Sequence, residues 1–120
     1  VRAVCESIAY AARHCLEAAG LGGDLAVCGG GSRSRAWMQV FADVLGRSVI
    51  LPSDDAIGVR GATAAAWRAL GEVPDEARWL AQGERVLPRT ETSARYAEGY
   101  ARYRAHLDSA RSLWASDTPA

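Results

Sequence analysis

Three successive glycines, Gly29, Gly30 and Gly31, are the residues of this sequence best suited to hold a ligand. They follow a short apolar run at residues 25–28 and precede an amphipathic pattern that ends at Gly46. The pattern predicts a helix whose apolar side chains are Trp37, Val40, Phe41, Val44 and Leu45. A strand, a glycine turn and a helix in this order direct backbone N–H groups at the space beyond the strand, where the helix dipole favours an anion. Because glycine has no Cβ, a ligand can come close to this main chain.

The glycine turn by itself leaves two interpretations open. A Walker A loop requires Gly-Lys-Ser/Thr, and the sequence contains no lysine. A dinucleotide fingerprint requires a third glycine where Ser34 stands. A strand–helix connection without a ligand is therefore as compatible with the turn as a phosphate or nucleotide site.

Composition narrows the class of protein. The sequence has 120 residues, enough for one domain or part of a larger one, and 49% of them are hydrophobic. The formal net charge is zero, with 14 arginines and 14 acidic residues, which argues against a nucleic acid partner held by bulk charge. No apolar run reaches about 18 residues, so neither a transmembrane helix nor a membrane partner is expected. We expect a cytoplasmic protein.

The three cysteines, Cys5, Cys15 and Cys28, form no CxxC pair and lie in periodic apolar segments. This placement predicts reduced thiols in the core rather than a disulfide or a metal site. No metal ligands are predicted elsewhere. Asp54 and Asp55 would suit a metal or an acid pair, but aspartates before a helix more often cap it.

The remaining elements follow from periodicity and turn residues. Helices are predicted over residues 1–19 and 59–70, and a second strand over residues 48–51. The segment 72–89 is predicted to hold one short helix near Pro74 and then a loop. The last helix starts at Thr92 or Ser93, and its packing seam comprises Tyr96, Tyr100, Tyr103, Leu107, Ala110 and Trp114.

The predicted order of helices and strands is that of an α/β protein. Two strands do not make a stable sheet by themselves. The sequence also opens inside a predicted helix and without Met. We therefore expect a fragment of a longer chain whose further strands lie upstream of Val1.

A resemblance to the C-terminal domain of the FGGY family of carbohydrate kinases is carried by the segments CGGGSRSRAWMQVFADVLGRSVILP and GVRGATAAAWRALG. The shared features are the glycine triplet with Ser34, a Trp-x-Gln, an Ala-Asp-Val and a Gly-x-x-Gly-Ala helix, at Gly29–Gly31, Trp37–Gln39, Ala42–Val44 and Gly58–Ala62. Arg60 and Thr63 depart from the family pattern, which weakens an inference about the substrate.

The resemblance implies an actin-like, ribonuclease H-like ATPase fold, with residues 1–120 as the C-terminal portion of the nucleotide-binding domain. It also implies ATP and Mg²⁺ as cofactors and a small sugar or polyol, such as a ketopentose, as the phosphate acceptor. The glycine triplet would lie against the nucleotide, and Ser34 would reach the adenine. A homodimer is compatible with the sequence.

The resemblance places no catalytic residue in this chain, because the family's catalytic aspartate belongs to a motif that is absent here. The chain alone is therefore expected to be inactive. Asp43 is expected to make a helix-orienting hydrogen bond, Trp37 to line the adenine pocket or pack in the core, and Arg33 to face phosphate or solvent. The alternative is a non-catalytic nucleotide-binding or structural module of the same fold.

Overall fold

A computed structural model of the chain describes residues 1–53, 56–75 and 83–116. Among the described helices, none is both long and apolar enough to cross a bilayer. The elements are, in chain order, α1 (Arg2–Ala18), β1 (Leu25–Ala26), a 3-10 helix (Gly30–Arg33), α2 (Arg35–Leu45), β2 (Val49–Leu51), α3 (Ile57–Ala69), β3 (Glu84–Val86), a second 3-10 helix (Thr90–Thr92) and α4 (Ser93–Ser116).

The three strands form one mixed sheet in the order β1-β2-β3. β1 and β2 run parallel, with Leu25 opposite Val49, and α2 makes the crossover between them. β3 runs antiparallel to β2, with Val86 opposite Val49. In a parallel β-α-β unit the carboxyl end of the first strand faces the start of the helix, which is where such sheets bind ligands. The glycine triplet occupies this position.

The third strand corrects the prediction for residues 72–89, which was one short helix near Pro74 followed by a loop. β3 has three residues, of which only Val86 is buried. Two charged residues followed by one valine do not alternate between polar and apolar, so the local sequence does not indicate β3. Its conformation is stabilised by pairing with β2 rather than by local preference. Gly83 permits the close approach, because a Cβ there would lie 2.6 Å from the Ile50 Cγ2 atom.

Helix α2 forms the centre of the core. Of its predicted apolar side chains, Phe41, Val44 and Leu45 are buried, whereas Trp37 and Val40 are half-buried. It packs against α1, α4 and the sheet. Gly46 ends it in the left-handed conformation, with φ 66° and ψ 24°, and donates its N–H to the Ala42 carbonyl. Its buried residues are Met38, Phe41, Ala42, Asp43, Val44 and Leu45.

The aromatic seam of α4 packs on α1 through Tyr10. The Tyr10 ring lies 6.5 Å from that of Tyr96, 6.1 Å from that of Tyr100 and 5.9 Å from that of Tyr103, measured between centroids. Tyr96 and Tyr100 are buried. The predicted docking surface is thus confirmed for the three tyrosines, whereas the side chain of Trp114 lies outside the described part of the chain.

The prediction of core cysteines is wrong. Cys15 and Cys28 are exposed, Cys5 is half-buried, and all three are free thiols. Helix α1 buries Ala9 but exposes Val4 and Ile8. Periodicity identified the apolar residues of this helix but not which of them the described chain covers.

Helix α3 begins two residues before the predicted start and has Ala56 at its N-cap position. Of its alanines Ala64 is buried, whereas the face expected to pack, Ala62, Ala65, Ala66 and Ala69, is exposed. Asp54 and Asp55, which were expected to cap this helix, lie outside the described residues. So do residues 76–82, where most of the short helix near Pro74 was expected, and the tail after residue 116.

We expect the 120-residue chain by itself to self-associate. The exposed large apolar residues of the described part include Val4 and Ile8 on α1, Trp67 on α3 and Leu70 directly after α3. Such surfaces are usually covered by other protein. Sedimentation velocity should show concentration-dependent association, and Leu70→Glu should reduce it. A compact monomer with a cooperative melt would contradict this expectation.

Candidate functional site

The glycine triplet forms a tight turn at the carboxyl end of β1. Gly29 has φ 99° and ψ −179°, a region that essentially only glycine populates. The Gly29 carbonyl accepts hydrogen bonds from the Ser32 N–H at 3.1 Å and the Ser32 hydroxyl at 2.7 Å, which fix the 3-10 turn. Gly29 is therefore the residue of the triplet whose backbone conformation requires glycine, since neither Gly30 nor Gly31 has a positive φ.

The space above the turn differs along the triplet. A Cβ built on Gly29 or Gly30 would meet no described atom within 4 Å, so the main chain is open to a ligand there. A Cβ on Gly31 would lie 2.3 Å from the Trp37 Cζ3 atom. Gly31 is therefore a glycine because the indole ring packs on its backbone.

Ser34 is the N-cap residue of α2. Its Oγ accepts a hydrogen bond from the Trp37 N–H at 3.4 Å, which is long, and its carbonyl accepts one from the Met38 N–H at 3.0 Å. Ser34 is exposed, and the proton of its hydroxyl takes no part in this cap. The side chain can thus cap the helix and donate to a ligand at once.

A cleft of about 510 Å³ lies beside the first turn of α2, within the size range of small-molecule sites. Most of its wall is apolar, none of the described lining residues is acidic, and the glycine triplet does not line it. The lining residues are Val1, Arg2, Cys5, Ser34, Ala36, Trp37, Gln39, Val40 and Arg89.

Trp37 packs against its neighbours and also lines the cleft. Its contact with adenine stays a prediction. Its ring meets Phe41 edge to face, with 5.8 Å between centroids, and one edge rests on Gly31. Its Nε1–H is buried without a hydrogen-bond partner in the described chain. A buried donor without an acceptor costs free energy, so a small shift or a bound acceptor here would be stabilising.

Arg89 enters the cleft from the segment that follows β3, and Asp43 holds it there. The Asp43 side chain is fully buried, and its Oδ2 atom accepts from the Arg89 Nε at 3.0 Å and Nη2 at 2.6 Å. The Arg89 backbone N–H donates to Oδ1 at 2.8 Å. Burial alone would raise the pKa of Asp43, but the hydrogen bonds from Arg89 and Gln39 outweigh it and hold the pKa below its usual value.

Gln39 completes this network. Its Nε2 donates to the Asp43 Oδ1 at 3.0 Å and to the Leu87 carbonyl at 2.8 Å. Asp43 therefore orients the Arg89 segment and the Gln39 side chain by hydrogen bonding. The sequence analysis missed Arg89, which lies 46 residues from Asp43 in a segment predicted to be a loop, so no local spacing could reveal the contact.

Arg2, the other cation of the cleft, is also paired. Its Nε donates to the Glu6 Oε1 at 2.9 Å and its Nη2 to the Tyr96 hydroxyl at 3.2 Å. Each arginine that lines the cleft is thus balanced by a carboxylate outside it. Elsewhere in the described part of the chain, no group of three or more His, Cys, Asp or Glu residues is placed to hold a metal ion.

The model of the C-terminal domain of the FGGY family of carbohydrate kinases matches residues 1–70, which include the glycine triplet, Ser34 and most of the cleft. The chain belongs to this family. The resemblance read from the sequence is therefore confirmed, and the chain is part of a carbohydrate kinase family of transferases.

Solved structures of FGGY kinases share the fold. The chain is 31% identical to the xylulose kinase from Rhodospirillum rubrum, with a TM-score of 0.67 over 93% of this chain and 24% of that one. For a xyloylose kinase from Brucella ovis the identity is 28% and the TM-score 0.64, over 92% of this chain and 24% of that one. These kinases have the actin-like ATPase fold, which confirms the predicted fold class. No curated protein matches the chain.

The chain spans 24% of the length of each of these kinases. The sequence-predicted site residues lie together at one corner of the β1–α2 unit: Gly29 and Gly30 offer open backbone, Gly31 supports Trp37, and Ser34 borders the cleft. Their contact with a nucleotide stays a prediction. Arg33 lies on the exposed side of the same 3-10 turn.

Proposed function

We propose that this chain is the C-terminal, nucleotide-binding part of a cytoplasmic kinase that transfers the γ-phosphoryl group of ATP to a hydroxyl of a ketopentose or polyol. The observation that carries the proposal is the turn at Gly29. Its glycine-only conformation, at the carboxyl end of β1 and before α2, lies inside the region matched by the family model.

The residues of the site fit ATP in two parts. The open main chain at Gly29 and Gly30 leaves space in which phosphate or ribose oxygens can approach the backbone. Ser34 stands between this turn and the cleft, where its hydroxyl would reach the base. When bound, ATP supplies the phosphoryl group, and the chain binds and orients it.

Magnesium would accompany the phosphates, because Mg²⁺ in such sites takes phosphate oxygens and waters as most of its ligands. The described residues contribute no metal cluster of their own. Phosphoryl transfer depends on positioning and charge neutralisation. The sugar or polyol contributes the acceptor hydroxyl, and the base that takes the proton of this hydroxyl belongs to protein outside this chain. The acceptor class is proposed from the xylulose kinases that resemble the chain.

In the intact kinase, Gly30→Val is expected to weaken ATP binding roughly five- to 150-fold and leave sugar binding nearly unchanged. Gly30 has no positive φ and has open space at its Cβ position, so the valine is compatible with the fold but obstructs a ligand. Ser34→Ala should have a milder effect, because it removes about one hydrogen bond. Calorimetric titration with each ligand measures both affinities.

Gly22→Val is the matched control, since Gly22 also has no positive φ and no described neighbour within 4 Å of a Cβ. It should bind both ligands like the parent. If folded Gly30→Val protein keeps the parent affinity for ATP, the turn is not the nucleotide site. Equal weakening of ATP and sugar would show that the turn is structural.

A further inference from the structure

Arg89 reaches the cleft from outside the region that carries the family match. It follows β3, and it lines the same cleft as Ser34, Trp37 and Val40 of α2. The family model ends at residue 70, whereas Arg89 lies in the segment that follows β3. Whatever occupies the cleft beside Ser34 therefore also meets a guanidinium group.

The guanidinium of Arg89 is held in a fixed orientation. Two of its nitrogens donate to one oxygen of the buried Asp43 carboxylate, and its backbone N–H donates to the other. Gln39 ties that carboxylate to the Leu87 carbonyl, two residues before Arg89. A side chain ordered in this way loses little entropy when it contacts a ligand.

The charge of Arg89 does not make the cleft an anion site. Asp43 balances Arg89, and Glu6 balances Arg2, so neither cation that lines the cleft is left uncompensated. What Arg89 still offers is its flat face and the edge at Nη1, because its side chain remains 46% exposed. The rest of the wall is mainly apolar and includes Trp37.

We propose that Arg89 binds the planar base of the nucleotide in this cleft, and that Asp43 and Gln39 are the residues that position it. The inference rests on the proposed function. A guanidinium stacks on aromatic rings and donates in its plane, whereas a lysine ammonium does neither in the same geometry. An apolar wall with a few directed donors is the usual environment of a heteroaromatic ligand.

The test compares ATP with inorganic tripolyphosphate, which has the phosphates but no base. In the intact kinase, Arg89→Lys keeps a cation beside Asp43 and removes the planar group. We expect ATP to bind about five- to thirtyfold more weakly. The inhibition constant of tripolyphosphate, measured in competition with ATP, should change less than about twofold, since the phosphates keep their contacts.

Positioning by Gln39 is tested with Gln39→Leu, which should weaken ATP less than Arg89→Lys and again spare tripolyphosphate. A merely structural role would weaken both ligands together. The control is Arg85→Ala on β3, an exposed arginine paired with Asp24 away from the cleft, which should bind both ligands like the parent. Parent-like ATP binding by Gln39→Leu would overturn its positioning role.

Two results would overturn the base contact: parent-like ATP binding by Arg89→Lys, or equal weakening of ATP and tripolyphosphate. These failures are distinguishable from failure of the proposed function. If Gly30→Val weakens ATP while Arg89→Lys does not, the chain binds nucleotide without Arg89. If neither variant weakens ATP, the assignment of nucleotide to this chain fails with it.

Discussion

Gly29→Val is expected to lower the free energy of unfolding by about 3 kcal/mol and to abolish most nucleotide binding. Gly29 holds φ 99° and ψ −179°, and a β-branched residue must either strain there or rebuild the turn. Rebuilding would also break the two hydrogen bonds from Ser32 to the Gly29 carbonyl. Urea unfolding of the intact kinase measures the first effect and calorimetry with ATP the second.

The neighbouring Gly30→Val protein is the matched control for strain. It places the same side chain one residue later, where φ is not positive and the space is open. It should therefore unfold near the parent midpoint while losing ATP affinity. Equal stability of Gly29→Val and Gly30→Val would show that the turn is not held by the conformation of Gly29.

The glycine turn shows which features of the site can be predicted from local sequence. The apolar run, the triplet and the periodic residues up to Gly46 predicted β1, the turn and α2 near their observed bounds. They did not predict that the three glycines have three different reasons to be glycine. Backbone conformation selects Gly29, open space distinguishes Gly30 and the Trp37 ring selects Gly31, and the last reason depends on tertiary packing.

Strand β3 and the contacts of Arg89 cannot be predicted from local sequence. Glu84 and Arg85 are exposed, so this three-residue strand lacks the hydrophobic pattern that would predict a strand. It is a strand because it pairs with β2. The hydrogen bonds of Arg89 to Asp43 likewise join residues 46 apart. Both features arise from long-range pairing, which a spacing rule cannot detect.

The exposed apolar residues on and beside α1 and α3 show a further limit of prediction from periodicity. Periodicity correctly indicated helices, but Val4 and Ile8 on α1 and Leu70 after α3 are exposed in the described chain. Burial of an apolar stripe is favourable, so the stripe predicts that the surface is covered, but it does not identify what covers it. The chain spans only 24% of the kinases it resembles, and a longer protein provides further surface for such faces.

Asp43 joins the predictable and the unpredictable parts of the site. The Ala-Asp-Val of the family resemblance contains it, and it is one of the buried residues of α2 although it does not belong to the predicted apolar face. Its partner Arg89 comes from beyond the family match. The carboxylate therefore connects α2, which Ser34 caps, with the segment that follows β3. Its loss should lower the free energy of unfolding and change the position of Arg89 in the cleft.

Asp43→Ala is expected to lower the free energy of unfolding by about 3–5 kcal/mol at neutral pH, and the isosteric Asp43→Asn by about 2–3 kcal/mol. Alanine removes the acceptor of hydrogen bonds from Gln39 and from three nitrogens of Arg89. Asparagine keeps the volume and one carbonyl oxygen but loses the charge opposite the guanidinium. Chemical denaturation of the intact kinase measures both changes.

The difference between the parent and Asp43→Asn should depend on pH in a defined direction. Because the pKa of Asp43 is lowered in the folded protein, its contribution is fully present above the unfolded value of about 3.9 and is lost as pH falls through the folded pKa. The parent should therefore lose stability in acid while the asparagine variant lacks this titration, and the gap should narrow below about pH 4. Glu98→Gln, which alters an exposed pair with Arg102, should change stability little at either pH. A gap that stays constant from neutral pH into acid would mean that the charge of Asp43 is not what holds Arg89 in the cleft.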